Sequence, residues 1–258
     1  MPEGDTIHHA ASRIAPVLVG RVPDAILTPH PRPGGQGWPE RLAGGAITAV
    51  EAKGKHLLLH FDSGVVLHSH LRMTGAWAVH RRGERWRRSP RRAWLVLRAG
   101  TTEVVQFDGP VLELMTALRV RGDQRLAGLG PDVLGERFDE PEVLRRLRQD
   151  DPTRPIGDAL LDQRTIAGLG NIWRAEACFG ARIDPWRPAG QVADPEVLEI
   201  ARFARAEMSR AVAEGLRPRR RAVYNRAGQP CPRCGQTIRA RGMWEDNRTV
   251  YWCPACQR

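Results

Sequence analysis

Four of the five cysteines lie near the end of the chain as two close pairs, Cys231-x2-Cys234 and Cys253-x2-Cys256, with 18 residues between the pairs. Two such pairs can place four thiolates around one ion in a tetrahedron, and zinc suits this soft, closed set of ligands. Because four protein ligands leave no position for a substrate, the spacing predicts one structural zinc ion. A rubredoxin-like iron site is the alternative.

The segment between the two cysteine pairs predicts a β-hairpin from Trp244 to Tyr251, with Arg248 at or near its turn. An arginine on a hairpin held by zinc is well placed to meet a phosphate or a DNA groove. The fifth cysteine, Cys178, lies in an apolar stretch and is expected to be a small buried hydrophobe. Paired cysteines of this kind indicate metal binding in a reducing compartment, without disulfides.

The chain begins Met1-Pro2-Glu3, which offers an unusual nucleophile. If Met1 is removed, Pro2 presents a secondary amine, and an α-amino group with a pKa of about 8 is partly unprotonated at neutral pH. Attack by this amine on a sugar C1′ would give an iminium, an electron sink that makes the C2′ proton removable. Glu3 could carry protons for the same reaction. Many unrelated chains also begin Met-Pro, so the pattern alone is not diagnostic.

Lysine is almost absent from a strongly basic chain. Of 40 basic residues only Lys53 and Lys55 are lysines, and the formal net charge is +11. Arginine stays protonated at any working pH, whereas lysine can act as a base or nucleophile, so we expect one of this pair to do chemistry. Chance placement in a hairpin is the alternative. The basic excess favours a polyanion as partner, with nucleic acid first and an anionic membrane surface second.

A glycine-rich turn, Gly168-Leu169-Gly170-Asn171, precedes a predicted helix. Glycines there let backbone NH groups approach a phosphate, and a helix N-terminus adds positive potential. Asn171 adds a side-chain donor. An ordinary turn between helices explains the glycines equally well.

The first half of the chain predicts a helix that ends near Gly20, a loop over 28–45, and then a run of strands. Turn residues separate the strands, as in an antiparallel sandwich or barrel. The predicted strands span 46–52, 56–61, 65–69, 76–80, 93–98 and 103–107. The arginine-rich segment from Arg81 to Arg88 is predicted equally as a solvated loop or as a strip that faces DNA.

The second half is predicted to be helical from about residue 126, and a basic linker follows over 217–221. The predicted helices span 139–147, 156–163, 172–179 and 195–214. We therefore expect an α+β chain with three parts, at 1–125, 126–218 and 225–258. No apolar run approaches the roughly 18 residues that cross a membrane, and the acidic N-terminus lacks a secretion signal. The expectation is a soluble cytoplasmic protein, associated with the nucleoid.

Taken together, these motifs resemble the formamidopyrimidine-DNA glycosylase and endonuclease VIII family over essentially the whole chain. The resemblance implies an N-terminal helix with a two-sheet β-sandwich, a helix-two-turns-helix domain and a C-terminal zinc-finger hairpin. The motifs that carry it, in chain order, are Met1-Pro2-Glu3-Gly4, Lys53-Gly54-Lys55, Ser69-His70-Leu71-Arg72-Met73-Thr74-Gly75, Gly128-Leu129-Gly130-Pro131-Asp132, Leu160-Leu161-Asp162-Gln163, Gly168-Leu169-Gly170-Asn171 and Tyr251-Trp252-Cys253-Pro254-Ala255-Cys256-Gln257.

By that resemblance Pro2 is the nucleophile, Glu3 the general acid and base, and Lys55 the catalytic lysine. Asn171 and Arg248 correspond to the two residues that pinch the phosphates beside the lesion. The implied activity is base-excision repair: a DNA glycosylase with apurinic/apyrimidinic lyase activity by β,δ-elimination. Its implied partner is damaged, double-stranded DNA, bound by a monomer.

The resemblance also implies DNA contacts on one turn of the sheet domain. His70 corresponds to a contact with the DNA backbone. Met73, with Arg72 and Thr74, falls where the family inserts side chains into the stack that a flipped base vacates. A buried role in the core is the alternative for Met73.

Two departures from the family's purine-excising branch bear on the substrate. The stretch from Phe107 to Leu112 lacks the Asp-x-Arg-Arg-Phe-Gly pattern of that branch, and only residues 216–230 separate the last long helix from Cys231. Both departures resemble endonuclease VIII, which implies oxidised pyrimidines as substrates. Oxidised purines such as formamidopyrimidines remain the alternative, as does a zinc-finger protein that binds damage without cutting.

Overall fold

A computed structural model of the chain describes residues 2–217, 221–243 and 247–258. Backbone contacts group these residues into two compact units. One comprises Pro2 and Thr6–Ala127, and the other comprises Glu3–Asp5 and Gly128–Arg258.

Two antiparallel sheets of four strands make up most of the first unit. Their strand orders are β2-β3-β4-β8 and β1-β6-β7-β5. The elements are α1 (Gly4–Leu18), β1 (Ala25–Leu27), α2 (Pro31–Gly34), α3 (Trp38–Leu42), β2 (Ile47–Lys53), β3 (His56–Phe61), β4 (Val65–His70), β5 (Ala76–Arg81), β6 (Ala93–Ala99), β7 (Thr102–Phe107), β8 (Val111–Thr116), α4 (Ala117–Gly122) and α5 (Gln124–Ala127). The predicted pair of sheets is confirmed.

The core of this unit lies between the two sheets. Leu57 and Leu59 of β3 alternate with residues of the opposite face, as the two-residue period of a strand requires, and they pack in one cluster with Leu95 and Leu97 of β6. Burying a side chain of this size contributes about 1.5–3 kcal/mol. The same cluster takes in the apolar face of α1, including Ile14.

The prediction of a loop over 28–45 is wrong in part, because α2 and α3 lie there. Trp38 and Leu42 of α3 are both 1% exposed and belong to the sandwich core. Proline in the first turn favours such short helices, so the composition that suggested a loop here starts two of them. The strands β1 and β8 and the helices α4 and α5 were not predicted.

The second unit contains the remaining helices and a two-stranded hairpin. The elements are α6 (Glu140–Gln149), α7 (Ile156–Ala159), α8 (Asn171–Gly180), α9 (Asp194–Ala213), β9 (Arg239–Met243) and β10 (Arg248–Trp252). The apolar faces of the helices form one core, in which Trp173 of α8 and Ile200 of α9 are buried. Asp139 caps α6 as expected, because its carboxylate accepts a hydrogen bond of 3.0 Å from the NH of Glu142.

The predicted helix over 156–163 is wrong beyond Ala159. The NH groups of Leu161 and Asp162 bond to the carbonyl groups three residues before them, so the backbone tightens into turns. Asp162 then accepts from the NH of Arg164 at 2.9 Å, a side-chain bond that competes with a continuing helix.

The hairpin begins earlier in the chain than predicted. Its two strands pair antiparallel, with Met243 at the end of β9 opposite Arg248 at the start of β10, and Arg239 opposite Trp252 at the open end. Met1, Trp244 and residues 245–246, as well as residues 218–220 of the predicted linker, lie outside the described residues. No helix in the described ranges is long and apolar enough to span a membrane.

Candidate active site and metal centre

Glu3 is held at the N-terminus of helix α8. The residue is 1% exposed, and its two carboxylate oxygens accept hydrogen bonds from the NH of Ile172 at 2.8 Å and of Trp173 at 3.2 Å. Helix α8 begins at Asn171 after Gly170, whose lack of a side chain leaves the first NH groups without a local cap. Glu3 takes the place of that cap, and the positive end of the helix stabilises its negative charge.

The glycine turn before α8 is shaped to admit Glu3. A Cβ atom on Gly170 would overlap the carboxyl group of Glu3, and Gly168 has φ +97°, a conformation that side chains disfavour. The NH of Gly4 donates to the carbonyl of Gly168 at 2.9 Å. The side chain of Gln163 holds the turn in place, because it accepts from the NH of Gly168 at 3.0 Å and donates to the carbonyl of Leu169 at 2.9 Å.

Asn171 is joined to the hairpin strand that begins with Arg248. Its Nδ2 donates to the carbonyl of Thr249 at 3.1 Å. Arg174, one turn further along α8, donates to the same carbonyl at 3.0 Å and also to the Asn171 side-chain oxygen. Arg174 is fully buried, and this burial lowers its pKa to about 10, so it stays charged at neutral pH. A buried cation therefore helps to join Asn171 to Thr249, the residue that follows Arg248.

Two further carboxylates fasten the same helix to its surroundings. Asp5 is buried and accepts a hydrogen bond of 2.9 Å from the indole NH of Trp173. Glu176 accepts from three successive NH groups, those of Ala222, Val223 and Tyr224, at 2.8–3.0 Å. Burial, together with the nearby charge of Glu3, raises the pKa of Tyr224. Sequence reasoning missed Arg174 and Glu176, although charged residues inside an otherwise apolar helix were the available signal.

Lys55 lies in a two-residue turn between β2 and β3, half-buried beside Gly54. Gly54 has φ +58°, which a hairpin turn of type II′ requires at its first central position. His56, the next residue, pairs across the sheet with His70. The structure therefore places Lys55 beside His70, and the positive charge of Lys55 is one reason that the pKa of His70 is low.

Three histidines cluster on the strands next to this turn. His56 and His68 share a hydrogen bond of 2.8 Å between ring nitrogens, and the ring of His56 lies 4.8 Å from that of His70. Burial, with the neighbouring positive charges, lowers the pKa of His56 to about 3 and that of His70 to about 4. His70 Nδ1 accepts from the NH of Arg72 at 3.1 Å, so its proton lies on Nε2. A neutral His70 can thus donate through Nε2 to an anion.

Met73 projects from the turn between β4 and β5 with 66% of its surface exposed, so the buried alternative for this residue is wrong. Arg72 before it adopts φ +47°, and the NH of Gly75 donates to the carbonyl of Leu71 at 2.9 Å, which closes the turn tightly. A Cβ on Gly75 would lie 2.8 Å from that carbonyl oxygen, so glycine is required there. An exposed methionine on a closed turn is suited to enter an apolar gap.

The four cysteines of the two pairs converge. All their sulfur atoms lie within 4.8 Å of one another, and two of the separations are 3.9 Å (Cys231 to Cys256) and 3.5 Å (Cys234 to Cys253). Zinc–sulfur bonds of about 2.3 Å in a tetrahedron put the sulfur atoms about 3.8 Å apart. The four residues therefore fit one structural zinc ion. The fifth cysteine, Cys178, is fully buried in the helical core.

Three family models match the chain and define its class. Residues 1–110 match the formamidopyrimidine-DNA glycosylase N-terminal domain, residues 129–219 match the H2TH domain of the same enzymes, and residues 228–258 match the zinc finger found in FPG and IleRS. A two-sheet unit, a helix-two-turns-helix segment and a finger with four cysteine ligands, in this order, define a class of DNA glycosylase and lyase enzymes.

Individual relatives confirm the assignment along the full length. The chain is 39% identical to the probable endonuclease 8 2 of Streptomyces coelicolor, with 100% of this chain and 94% of that protein covered. It is 36% identical to the DNA-(apurinic or apyrimidinic site) lyase Nei2 of Mycolicibacterium smegmatis (100% and 99%), and 34% identical to the formamidopyrimidine-DNA glycosylase of Thermus thermophilus (100% and 98%). The chain belongs to the formamidopyrimidine-DNA glycosylase and endonuclease VIII family.

The fold agrees with solved structures of the same family. The Lactococcus lactis formamidopyrimidine-DNA glycosylase in complex with DNA containing an abasic site superposes with a TM-score of 0.82 at 23% identity, over 99% of both chains. A complex of that enzyme with DNA containing a formamidopyrimidine lesion gives 0.81 at 24% identity, over 98% of this chain and 99% of that one. At this level of identity the likeness establishes the fold.

Proposed function

We propose that this protein excises oxidised pyrimidines from duplex DNA and then cleaves the resulting abasic site by β,δ-elimination, with Pro2 as nucleophile. It works as a monomer on chromosomal DNA in the cytoplasm. The observation that carries the proposal is the position of Glu3, whose carboxylate is bound at the N-terminus of helix α8 directly after Pro2 in the chain. Because Pro2 directly precedes Glu3 in the chain, this supports a proton-transfer group close to the amine.

The chemistry follows from the N-terminal amine. The Pro2 nitrogen attacks the sugar C1′, the bond to the damaged base breaks, and the base leaves after taking up a proton. The attacking nitrogen gives up its own proton, and the sugar ring opens to an iminium as O4′ takes up a proton. Because the amine is secondary, the iminium nitrogen carries no proton and stays positively charged. Loss of the C2′ proton then expels the 3′ phosphate, and a second elimination expels the 5′ phosphate. Water hydrolyses the iminium and frees the enzyme.

Glu3 moves the protons of this sequence. Two NH donors and the helix N-terminus stabilise its charged form, so it first accepts a proton and then returns it to the opening sugar ring. Its burial excludes water from this exchange. The adjacent backbone position keeps its carboxyl group close to the amine that it serves.

The remaining predicted site residues hold the DNA. Asn171 and Arg248 contact the phosphates beside the lesion, and the buried Arg174 fixes their spacing through the carbonyl of Thr249. His70 donates from Nε2 to a phosphate of the backbone, and Lys55 beside it supplies positive charge and a proton-transfer group. Charge-assisted bonds of this kind contribute about 1.5–3 kcal/mol each.

Met73 and Arg72 enter the stack that the flipped base leaves. The exposed Met73 side chain offsets part of the lost stacking, as apolar wedges do. The zinc ion folds the hairpin that presents Arg248, a segment too short to build its own core.

The preference for pyrimidines is supported at residues 107–112. Asp108 forms ion pairs with Arg88 at 3.0 Å and with Arg92 at 2.5 Å. Gly109 is closely packed, because a Cβ atom there would lie 2.9 Å from the Trp94 ring. This stretch is therefore packed against its own sheet. It lacks the side chains that the purine-excising branch carries here.

The test compares lesions under single turnover. Excess enzyme is mixed with matched duplexes that carry thymine glycol or a formamidopyrimidine, and base release is followed separately from strand cleavage. We expect faster release from the thymine glycol duplex, with phosphate at both ends of the gap. Faster release of the formamidopyrimidine would assign the purine branch. Tight binding of both duplexes without release would assign a protein that only recognises damage.

A blocked N-terminus supplies the matched control. Adding two residues before Pro2 places its nitrogen in a peptide bond and leaves every other side chain in place. This variant should bind abasic DNA but cleave it slower by a factor of about 100 or more, because the amide nitrogen is no longer a nucleophile. Unchanged cleavage by the blocked enzyme would exclude Pro2 as the nucleophile.

A further inference from the structure

The segment from Arg81 to Arg92 joins β5 to β6 and is strongly basic. Seven of its twelve residues are arginines, and only Glu84 is acidic. The sequence favoured a solvated loop and a DNA-facing strip equally. The contacts of the individual arginines separate these two alternatives.

The segment is anchored to the outer face of the β1-β6-β7-β5 sheet. Trp86 packs edge-on against Phe107 with 5.6 Å between ring centres, and its indole NH donates to Glu103 at 3.2 Å. Glu84 turns back and accepts from the NH of Arg81 at 3.1 Å. These contacts give the segment a fixed conformation on the sheet.

Three of the seven arginines have carboxylate partners. Arg82 pairs with Asp24 at 3.2 Å, and Arg88 and Arg92 both pair with Asp108, at 3.0 and 2.5 Å. Arg88 also donates to the carbonyl of Thr74, at 3.0 Å, in the turn that carries Met73. The surface of the segment therefore continues the surface of that turn.

The other four arginines have no such partners. Within the described ranges, the side chains of Arg81, Arg85, Arg87 and Arg91 are exposed and have no carboxylate within ion-pair distance. Arg13, Arg21 and Arg41 of the same unit are also exposed without a described partner, but here four such arginines lie within eleven residues of one connecting segment. An external polyanion that meets this segment would be attracted by all four positive charges.

Space for that anion is present beside the segment. A cleft of about 760 Å³ is lined by Arg85, Arg87 and Trp86. Two carboxylates also line it, but Glu103 is paired with Arg98 and Glu84 accepts from the backbone NH of Arg81, so arginines outnumber the acidic groups in the lining. Guanidinium groups suit phosphate oxygens, because their fork of NH donors matches the geometry of the phosphate. Trp86 already packs against Phe107 and donates to Glu103, so its ring is held by the protein and these contacts favour binding of phosphates over stacking of bases.

We propose that Arg81, Arg85, Arg87 and Arg91 form a second phosphate-binding surface, which grips duplex DNA outside the lesion on the side of the Met73 turn. This inference goes beyond excision itself and rests on the proposed function only in taking DNA as the substrate. The surface adds affinity and lengthens the footprint without touching the reacting sugar.

The test measures the salt dependence of binding with a charge-matched control. The triple variant Arg85→Ala, Arg87→Ala, Arg91→Ala is compared with Arg13→Ala, Arg21→Ala, Arg41→Ala, which removes three exposed arginines without a described partner elsewhere in the same unit. Each lost phosphate contact lowers the slope of log K against log salt by about 0.9. Three contacts lower it by about 2.7, so between about 50 and 200 mM salt the wild type should lose about 40-fold more affinity than the first variant.

Duplex length gives the second readout. A series with a central abasic site is shortened on one flank at a time. We expect the first variant to bind more weakly than wild type on long duplexes and equally on duplexes that lack one particular flank. Thermal unfolding checks that both triple variants remain folded.

The outcomes are decisive for the surface and separate from the proposed function. An unchanged slope for the first variant, or an equal change in the control variant, would overturn the proposal, as would a loss of affinity that ignores flank length. Single-turnover excision at saturating enzyme should be the same in all three proteins. If the wild type excises nothing, the proposed function fails, while the salt slopes still report on the surface.

Discussion

Replacing Gly170 with alanine should disable the site by one methyl group. A Cβ there would overlap three atoms of the Glu3 side chain, namely Cγ, Cδ and Oε1. The backbone of helix α8 cannot move away from Glu3, because most side chains of the helix are buried in the core. Glu3 must therefore move instead. Its movement breaks the bonds to the NH groups of Ile172 and Trp173.

The size of the effect follows from those two bonds. Hydrogen bonds to a charged group contribute about 1.5–3 kcal/mol each, and Glu3 regains some hydration when it leaves. We therefore expect the free energy of unfolding to fall by about 2–4 kcal/mol. Loss of a positioned proton-transfer group costs about 10²–10⁴ in rate, so base excision should fall by about 100-fold or more.

The assay combines urea unfolding with single-turnover excision, and Gly122→Ala is the matched control. Gly122 ends α4, and a Cβ there meets no described atom within 4 Å. Its replacement should keep full activity and raise stability by up to about 1 kcal/mol, as alanine is the better helix former. Wild-type excision and stability in the Gly170→Ala protein would refute the assigned position of Glu3.

Three other perturbations test separate parts of the account. Removing zinc with a chelator should abolish binding to abasic DNA while the sandwich stays folded, and binding retained in zinc-free protein would contradict the role of the finger. Arg248→Ala should weaken binding by about 1–3 kcal/mol at matched salt, whereas Arg174→Lys should weaken it about tenfold by loosening the spacing of the phosphate contacts, as titration with labelled duplex would measure. The neutral pair of His56 and His68 should make stability depend on pH, because the pKa of His56 is about 3 in the folded protein and near 6.5 in the unfolded chain. Unfolding therefore takes up a proton below pH 6.5, so this contribution to stability is complete above pH 6.5 and is lost as the pH falls, by about 1.4 kcal/mol per pH unit for each such group. Urea titrations at several pH values should show a flatter profile for His56→Gln.

Local chemistry in the sequence predicted much of the candidate site. The zinc site of Cys231, Cys234, Cys253 and Cys256 could be predicted from spacing alone, because two close pairs of thiolates have few possible arrangements around one ion. The strands predicted from 46 to 107, which turn residues separate, were confirmed. The start of α6 at Asp139 was also predictable, because a capping side chain bonds to NH groups within the first turn of its own helix.

Long-range partners were beyond the sequence alone. Glu3 and Ile172 lie 169 positions apart, and no local pattern says that the carboxylate of one caps the helix of the other. Arg174 donates to the carbonyl of Thr249, 75 positions further along the chain, and no local pattern indicates this partner. The helix α3 was not predicted because Trp38 lies in a stretch rich in proline and glycine, and the burial of Trp38 depends on the sheets that it packs against.

The central claim is that the amine of Pro2 forms a covalent bond with the sugar of the damaged nucleotide. The most direct measurement is to incubate the protein with a duplex that carries one abasic site, reduce with borohydride, and locate the adduct by mass spectrometry of the digested protein. The account predicts an adduct on the N-terminal peptide, at Pro2, after removal of Met1. An adduct on Lys55, or none despite tight binding by protein with a free Pro2, would contradict it.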